Sequence, residues 1–171
     1  MIIGKNSFIS NKTKVIFPEN LVIGNNCRID DNCILICKKK IVIGNYVHVA
    51  PNSIIRAHKE IFISDFTLIS SFCDIYTSID NIGTGKDISH PLFKKNNKHN
   101  KPNSSSLKIG KYCQLGSHSV VLPGAELSEG SIVGGLTLIN FKTKKWHVYL
   151  GNPARLMGVR DKSKVIKFFS N

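Results

Sequence analysis

A six-residue repeat of aliphatic side chains is the feature that most constrains the fold of this chain. The blocks IIGKNS, VIGNNC, VIGNYV and FISDFT begin every twenty residues, and an aliphatic residue recurs every six positions within each unit. The repeat stops near residue 79 and resumes at Ile109. A period of six fits neither an α-helix, with about 3.6 residues per turn, nor a strand, which alternates every two residues. The sequence therefore predicts short strands joined by sharp turns, with three strands closing each triangular coil. The repeating positions are Ile3, Ile9, Val15, Ile23, Ile29, Leu35, Ile43, Val49, Ile55, Ile63, Ile69, Ile75, Ile109, Leu115, Val121, Leu127, Val133 and Ile139.

A second repeat, of small side chains, lies four residues after most of the aliphatic positions. Four of the five cysteines occupy it: Cys27, Cys33, Cys73 and Cys113. A buried thiol packs as a small apolar group, so we interpret these cysteines as core residues. None of the cysteines forms a CxxC pair, and we predict neither a disulfide nor a metal site.

Length and charge restrict the class of protein. With 171 residues the chain is long enough for one domain, which we expect to span residues 1–171. The formal net charge of +13 indicates an anionic partner: nucleic acid, a membrane surface or a phosphate-rich small molecule. The first residues lack the pattern of a secretory signal, and no segment approaches the ~20 apolar residues of a membrane span. We therefore expect a cytoplasmic protein.

The paired repeat resembles that of the hexapeptide-repeat family. This resemblance implies an all-β fold, a left-handed parallel β-helix of about six coils, with four coils before an excursion loop at residues 79–108 and two after it. Because most relatives are trimers, it also implies a homotrimer. The tail at residues 146–171 is expected to include a short helix around residues 162–169. The chain begins inside the first coil, which leaves a sheet edge that needs a cap or a partner.

Two C-terminal segments narrow the resemblance. IGKYCQLGSHSVVLPGAELSEGSIVGGLTLI and WHVYLGNPARLMGVR are similar to the C-terminal half of hexapeptide acyltransferases that modify sugars, including maltose and galactoside acetyltransferases and polysaccharide O-acetyltransferases. In that family this half lines a groove between two subunits, where acetyl-CoA lies along the coils. The small residues that suit its pantetheine arm are Gly116, Ser117, Gly134 and Gly135. The basic residues that suit its phosphates are Lys142, Lys144, Lys145, Arg155 and Arg160.

Acyl transfer needs a base that removes the proton of the acceptor, and histidine suits this task at neutral pH. His90, in the string SHP of the excursion, resembles the catalytic segment of the maltose-type enzymes. The string YTSIDNIGTGKDISHP also resembles a branch of polysaccharide acetyltransferases in which Asp80 is the notable polar residue. These two alignments disagree, and both candidates stay open. His58 and His118 follow aliphatic positions by three residues, so we expect them to face outwards and keep them as further candidates. The remaining histidines, interpreted as surface or interface residues, are His48, His99 and His147.

The sequence leaves four functions to compare. We hypothesise an acetyl-CoA-dependent O-acetyltransferase acting on a sugar in surface-polysaccharide synthesis. The alternative is an N-acetyltransferase of a nucleotide-linked amino sugar, with the same donor and base. A zinc enzyme of the γ-carbonic anhydrase type is disfavoured because the chain has no H-x4-H pair. A non-enzymatic scaffold or nucleic-acid binder is the distant alternative, since the lysine-rich excursion has too few aromatic residues for base stacking.

Overall fold

The computed structural model describes residues 1–80 and 103–169, with side chains through residue 167. Over these residues the chain forms a parallel β-helix of six coils, four before the excursion and two after it. The predicted fold, coil number and position of the break are thereby confirmed. Residues 81–102, which include His90 and His99, lie outside the described residues.

Each coil contributes one short strand to each of three sheets. The first sheet contains β1 (Ile2–Ile3), β4 (Leu21–Ile23), β7 (Ile41–Ile43), β10 (Ile61–Ile63), β15 (Leu107–Ile109) and β18 (Glu126–Leu127). The second contains β2 (Phe8–Ile9), β5 (Arg28–Ile29), β8 (His48–Val49), β11 (Leu68–Ile69), β16 (Gln114–Leu115), β19 (Ile132–Val133), β21 (His147–Leu150) and β22 (Arg155–Val159). The third contains β3 (Lys14–Ile16), β6 (Ile34–Ile36), β9 (Ile54–Arg56), β12 (Asp74–Tyr76), β17 (Val120–Val121) and β20 (Leu138–Ile139).

The register of the sheets stacks the repeating aliphatics directly on one another. Ile23 pairs with Ile43, Ile43 with Ile63, and Ile63 with Ile109 across the excursion. All four are at most 2% exposed. Their stacking removes a continuous column of apolar side chains from water, which is the main stabilising contribution in a coil that cannot bury its core alone.

The small residues of the second repeat also lie in the core, as predicted. Cys27, Cys33, Cys73 and Cys113 are buried, and so is Cys37, which lies outside that repeat. The Cys73 thiol donates to the carbonyl oxygen of Gly116 in the next coil, at 3.2 Å. The thiols of Cys27, Cys33 and Cys113 likewise donate to carbonyl oxygens of the next coil, so these four cysteines pack the interior and bridge neighbouring coils.

Burial makes three of the thiols poor nucleophiles. It raises the pKa of Cys37, Cys73 and Cys113 to about 11 each. Because the thiolate is the reactive form, their environment agrees with a structural role.

The two ends of the β-helix differ in how their cores are covered. At the first coil Ile2 and Ile3 are 64% and 43% exposed. At the last coil β21 adds a seventh strand to the second sheet, and β22 folds back antiparallel against it. Tyr149 of β21 is 6% exposed and closes the core. The sequence did not predict this hairpin.

One helix follows the hairpin. The α-helix α1 spans Lys162–Phe169, where the sequence predicted it. Among the described residues, no helix has the length and apolar character needed to cross a membrane.

Candidate active site

The excursion begins at a corner of the β-helix where each of the first three coils has a short turn. The turn between the third sheet and the next coil spans residues 17–20, 37–40 and 57–60, with a 3-10 turn at Pro18–Asn20 in the first of them. In the fourth coil the same corner opens into the excursion. Its base is a two-stranded antiparallel ladder of β13 (Ser78–Ile79) and β14 (Asn103–Ser104). The excursion is therefore an enlarged version of a repeated turn.

Thr77 ties the base of the excursion to the coil before it. Its side chain is completely buried, and Oγ1 accepts hydrogen bonds from the backbone N–H groups of His58 at 2.8 Å and Lys59 at 3.0 Å. The same hydroxyl donates to the carbonyl oxygen of Arg56 at 3.1 Å. Asp80 comes three residues after Thr77 and is exposed, as is His58. Two of the predicted catalytic residues thus occupy one corner, on successive coils.

Polar side chains of the third sheet lie beside this corner. The Arg56 guanidinium carbon is 5.2 Å from the centre of the Tyr76 ring. Burial, and then the neighbouring Asp74 carboxylate, raise the pKa of Tyr76 above its ordinary value. The phenol therefore stays protonated at neutral pH and can act as a hydrogen-bond donor.

His118 lies at another corner, between the second and third sheets. Its backbone has a φ of 60°, and its ring stacks on Phe72 with centroids 4.8 Å apart. The structure therefore separates His118 from His58 and Asp80 within one chain. His90 lies outside the described residues.

The four small residues predicted to receive the pantetheine arm lie together, at the corner that holds His118. A side chain at Gly116 would place its Cβ 2.4 Å from the backbone N of Gly135, and one at Gly134 would place it 1.7 Å from Leu150. Glycine is thus required at Gly116, where the clash would be with backbone, whereas the clash at Gly134 would be with the end of the exposed Leu150 side chain, which is free to move aside. Ser117 and Gly135 are exposed beside them, next to the exposed side chains of His118 and Leu136.

The predicted basic cluster divides into separate groups. Lys142 and Lys145 line an open cavity of about 240 Å³ on the first sheet. They pair there with Glu126 at 3.0 Å and Glu129 at 3.7 Å. Lys144 and Arg155 are exposed.

The Arg160 side chain connects the C-terminal tail to the last two coils. Its guanidinium donates to the carbonyl oxygens of Tyr112 and Gly130 and lies 5.8 Å from the centre of the Trp146 ring. Burial lowers its pKa below the usual value, although an arginine remains charged.

One polar cluster was missed from the sequence. Asp30 is 8% exposed, and its carboxylate bonds the Arg28 Nε through one oxygen and the His48 Nε2, at 2.7 Å, through the other. Burial raises the pKa of Asp30, but the hydrogen bonds and charges of His48 and Arg28 outweigh it, and the net pKa is lowered. The twenty-residue period held the signal, because it places His48 directly beside Arg28 in the second sheet. Across the described part of the chain, no three metal-ligating side chains come together.

Several known proteins share this architecture, although no family model matches the chain. A crystal structure of AntD, an N-acyltransferase from Bacillus cereus, in a form with one aspartate replaced by alanine and with dTDP and coenzyme A bound, superposes with a TM-score of 0.90. It is 30% identical, over 98% of this chain and 88% of AntD.

Two further proteins are similar in part. A dTDP-4-amino-4,6-dideoxy-D-glucose acyltransferase from Escherichia coli is 34% identical over 98 residues, which are 57% of this chain and only half the length of that enzyme. A maltose O-acetyltransferase from Clostridium difficile, at 18% identity and a TM-score of 0.59, over 94% of this chain and 70% of its own, shares the fold alone. The identity to AntD over nearly the whole chain, together with the six-coil β-helix, shows that this chain belongs to the hexapeptide-repeat acyltransferase family.

Proposed function

We propose that the chain transfers an acyl group from a coenzyme A thioester to the amino group of a nucleotide-linked amino sugar. The observation that carries this proposal is the similarity to AntD, which extends over nearly the whole chain and includes forms of AntD with dTDP-4-amino-4,6-dideoxyglucose and coenzyme A bound. This was the alternative at the level of sequence. O-acetylation in surface-polysaccharide synthesis, the first prediction, has only the shared fold of the maltose enzyme in its favour.

In the proposed reaction the acyl group passes directly from the thioester to the amine, without a covalent bond to the protein. The amine lone pair attacks the thioester carbonyl carbon, which forms the C–N bond and a tetrahedral oxyanion. Collapse of this intermediate breaks the C–S bond, and the thiolate leaves. The amine loses one proton to a base, and that proton finally neutralises the thiolate, giving the amide and free coenzyme A. Chain groups must therefore orient the amine, accept one proton and stabilise the oxyanion.

We name the corner formed by turns 17–20, 37–40 and 57–60 and by the base of the excursion the excursion corner. It is our candidate for the acceptor side of this reaction. Asp80 and His58 lie there on successive coils, where the backbone N–H of His58 donates to the side chain of Thr77, three residues before Asp80. A carboxylate that orients a histidine, or accepts the proton itself, fits the task. That an aspartate was replaced in a solved form of AntD supports testing Asp80 alongside the histidines. His90 belongs to the same excursion in sequence and remains a proposed base.

The donor side is proposed at the small-residue corner of the last two coils. Ser117 and Gly135 are exposed there above the glycines that allow close stacking. Small residues at these positions would let an extended pantetheine arm approach the backbone. Lys142, Lys144 and Arg155 remain candidates for the phosphates of acetyl-CoA. Because AntD has been solved with 3-hydroxybutyryl-CoA, the acyl group itself needs a test.

We also propose that the chain forms a homotrimer and acts in the cytoplasm. The third sheet supports a partner of the same kind, because five of its six coils carry at least one outward aliphatic side chain that is only half-buried. These residues are Ile16, Ile34, Ile36, Ile54, Val120 and Leu138. An apolar outer face of this extent indicates a protein interface, and it borders the excursion corner.

The proposed function is tested by mass spectrometry of the products. The purified protein is incubated with acetyl-CoA or 3-hydroxybutyryl-CoA and dTDP-4-amino-4,6-dideoxyglucose, with the 4-hydroxy analogue of that sugar nucleotide and with maltose as competing acceptors. We expect an amide product from the amino sugar only. An ester product from the hydroxy analogue or maltose, with the amino sugar untouched, would instead establish O-acylation.

A further inference from the structure

A basic patch lies on coils two and three, at the same corner where the excursion begins in coil four. It consists of Lys38, Lys39, Lys40 and Lys59, which we name the basic corner. All four residues are exposed, on the turns 37–40 and 57–60. Neither the predicted donor site nor the candidate bases include these lysines.

The basic corner is in register with the excursion. The Lys39 backbone N–H donates to the carbonyl oxygen of Ala57 at 2.8 Å, and the Lys59 N–H donates to Thr77 Oγ1 at 3.0 Å. These bonds stack turn 37–40 on turn 57–60 and turn 57–60 on the base of the excursion. Since adjacent strands lie about 4.8 Å apart, the first of these turns is about 10 Å from the base of the excursion along the helix axis. A hexose and the diphosphate attached to it bridge a distance of this order.

The basic corner brings together four lysines that form no ion pair with a described residue. Five other lysines in the described ranges do form ion pairs with carboxylates, for example Lys12 with Asp31 at 3.0 Å and Lys111 with Asp65 at 3.1 Å. Within the described ranges, none of the four lysines of the basic corner has a carboxylate within 4.0 Å. This holds although Glu19 and Glu60 lie on the same corner of the β-helix. Like charges crowded without counter-charges repel one another, and a bound dianion would relieve that repulsion.

We propose that the basic corner binds the diphosphate of the nucleotide-linked amino sugar. The inference rests on the proposed function and adds the place and the groups that hold the acceptor. Lysine ammonium groups act on phosphate as mobile point charges, which suits an exposed site whose ligand must leave after each turnover. With the diphosphate on coils two and three, the sugar extends towards Asp80 and the excursion, and its amino group comes to the corner where the candidate bases lie.

The test is binding of dTDP, measured by isothermal titration calorimetry on the full chain in the presence of saturating coenzyme A. The variant Lys38→Gln/Lys39→Gln/Lys40→Gln removes three charges of the basic corner. The matched control Lys5→Gln/Lys164→Gln/Lys167→Gln removes three exposed charges from the first coil and the C-terminal helix. We expect about tenfold weaker dTDP binding in the first variant, because each exposed charge contact contributes modestly, and no change in the control. The difference should shrink at high ionic strength, where exposed charges are screened.

Kinetics separate this inference from the proposed function. The basic-corner variant should raise KM for the nucleotide sugar about tenfold and leave both kcat and KM for the thioester within about twofold of wild type. Unchanged dTDP binding in that variant, with an active wild type, would refute the inference and leave the proposed function intact. Weaker coenzyme A binding without weaker dTDP binding would also refute it, because the lysines would then hold the donor. A wild type that neither binds dTDP nor acylates a nucleotide-linked amino sugar would refute both.

Discussion

The Nε2 atom of His48 lies 2.7 Å from Oδ2 of Asp30, in the middle of the second sheet. The other oxygen of Asp30 bonds Arg28, so one nearly buried carboxylate holds two side chains that are partly exposed to solvent. The three residues come from two successive coils, and the carboxylate links these coils outside the core. This cluster contributes to stability without belonging to the repeat that forms the fold.

The Asp30 cluster predicts a pH dependence of stability. Because the folded-state pKa of Asp30 is lowered, its contribution is fully present above the unfolded value of about 3.9 and is lost as the pH falls through the folded pKa. We expect Asp30→Asn to lower the free energy of unfolding by about 1–2 kcal/mol at neutral pH. Urea denaturation across a pH series measures this difference. It should shrink below about pH 4, and a difference that stayed constant with pH would contradict the assignment.

The base of the reaction is identified by single substitutions. We expect His90→Ala to lower kcat about 10²- to 10⁴-fold if its imidazole is the general base, with a small effect on KM. A loss below about tenfold would transfer the role to Asp80 or His58, tested by Asp80→Asn and His58→Ala, or to His118 at the other corner. His147→Ala, a change in β21 away from both corners, is the control and should leave turnover unchanged.

The fit between Gly130 and Trp146 predicts a local sensitivity of the last coil. Gly130 has a φ of +73°, and a Cβ there would lie 2.3 Å from the Trp146 ring. Gly130→Ala therefore combines an unfavourable backbone conformation with a clash against a ring that Arg160 also holds in place. We expect a loss of about 2 kcal/mol or more, seen as a lower Tm. Gly158→Ala is the matched control, because a Cβ at Gly158 meets no atom within 4 Å. Equal Tm values for the two variants would contradict this account.

The burial of the cysteines predicts how slowly they react. Cys73 and Cys113, each with a pKa of about 11, carry almost no thiolate at pH 8. We therefore expect the native protein to react with an aromatic disulfide reagent only at the rate of unfolding, and the denatured protein to react at all five cysteines. Rapid labelling of Cys73 in the native state, located by peptide mass spectrometry, would show that the core opens locally.

Regular stacking could be predicted from the sequence, whereas features that depend on single long-range contacts could not. The aliphatic repeat determines the coils because residues such as Ile43 and Ile63 must face inwards in register. The same period would have placed His48 beside Arg28. The hydrogen bonds of Asp30 to both residues depend on side-chain positions, which the period does not specify. The β21–β22 hairpin does not follow the six-residue repeat. The Trp146 ring is positioned by its packing against Gly130 in the preceding coil. Such a contact leaves no periodic signal in the sequence.

The outer face of the third sheet predicts the assembly. Ile54 projects from this face half-buried, and Ile132 projects in the same way from the second sheet. A charge at Ile54 would have to be desolvated if copies of the chain pack through the third sheet, whereas a charge at Ile132 would remain in water. We expect the wild type to have about three times the chain mass of 19.0 kDa by light scattering, Ile54→Glu to shift towards the monomer, and Ile132→Glu to remain trimeric. If Ile132→Glu dissociated and Ile54→Glu did not, the second sheet would be the interface. A monomeric wild type would refute the trimer, and the excursion corner would then have to act within a single chain.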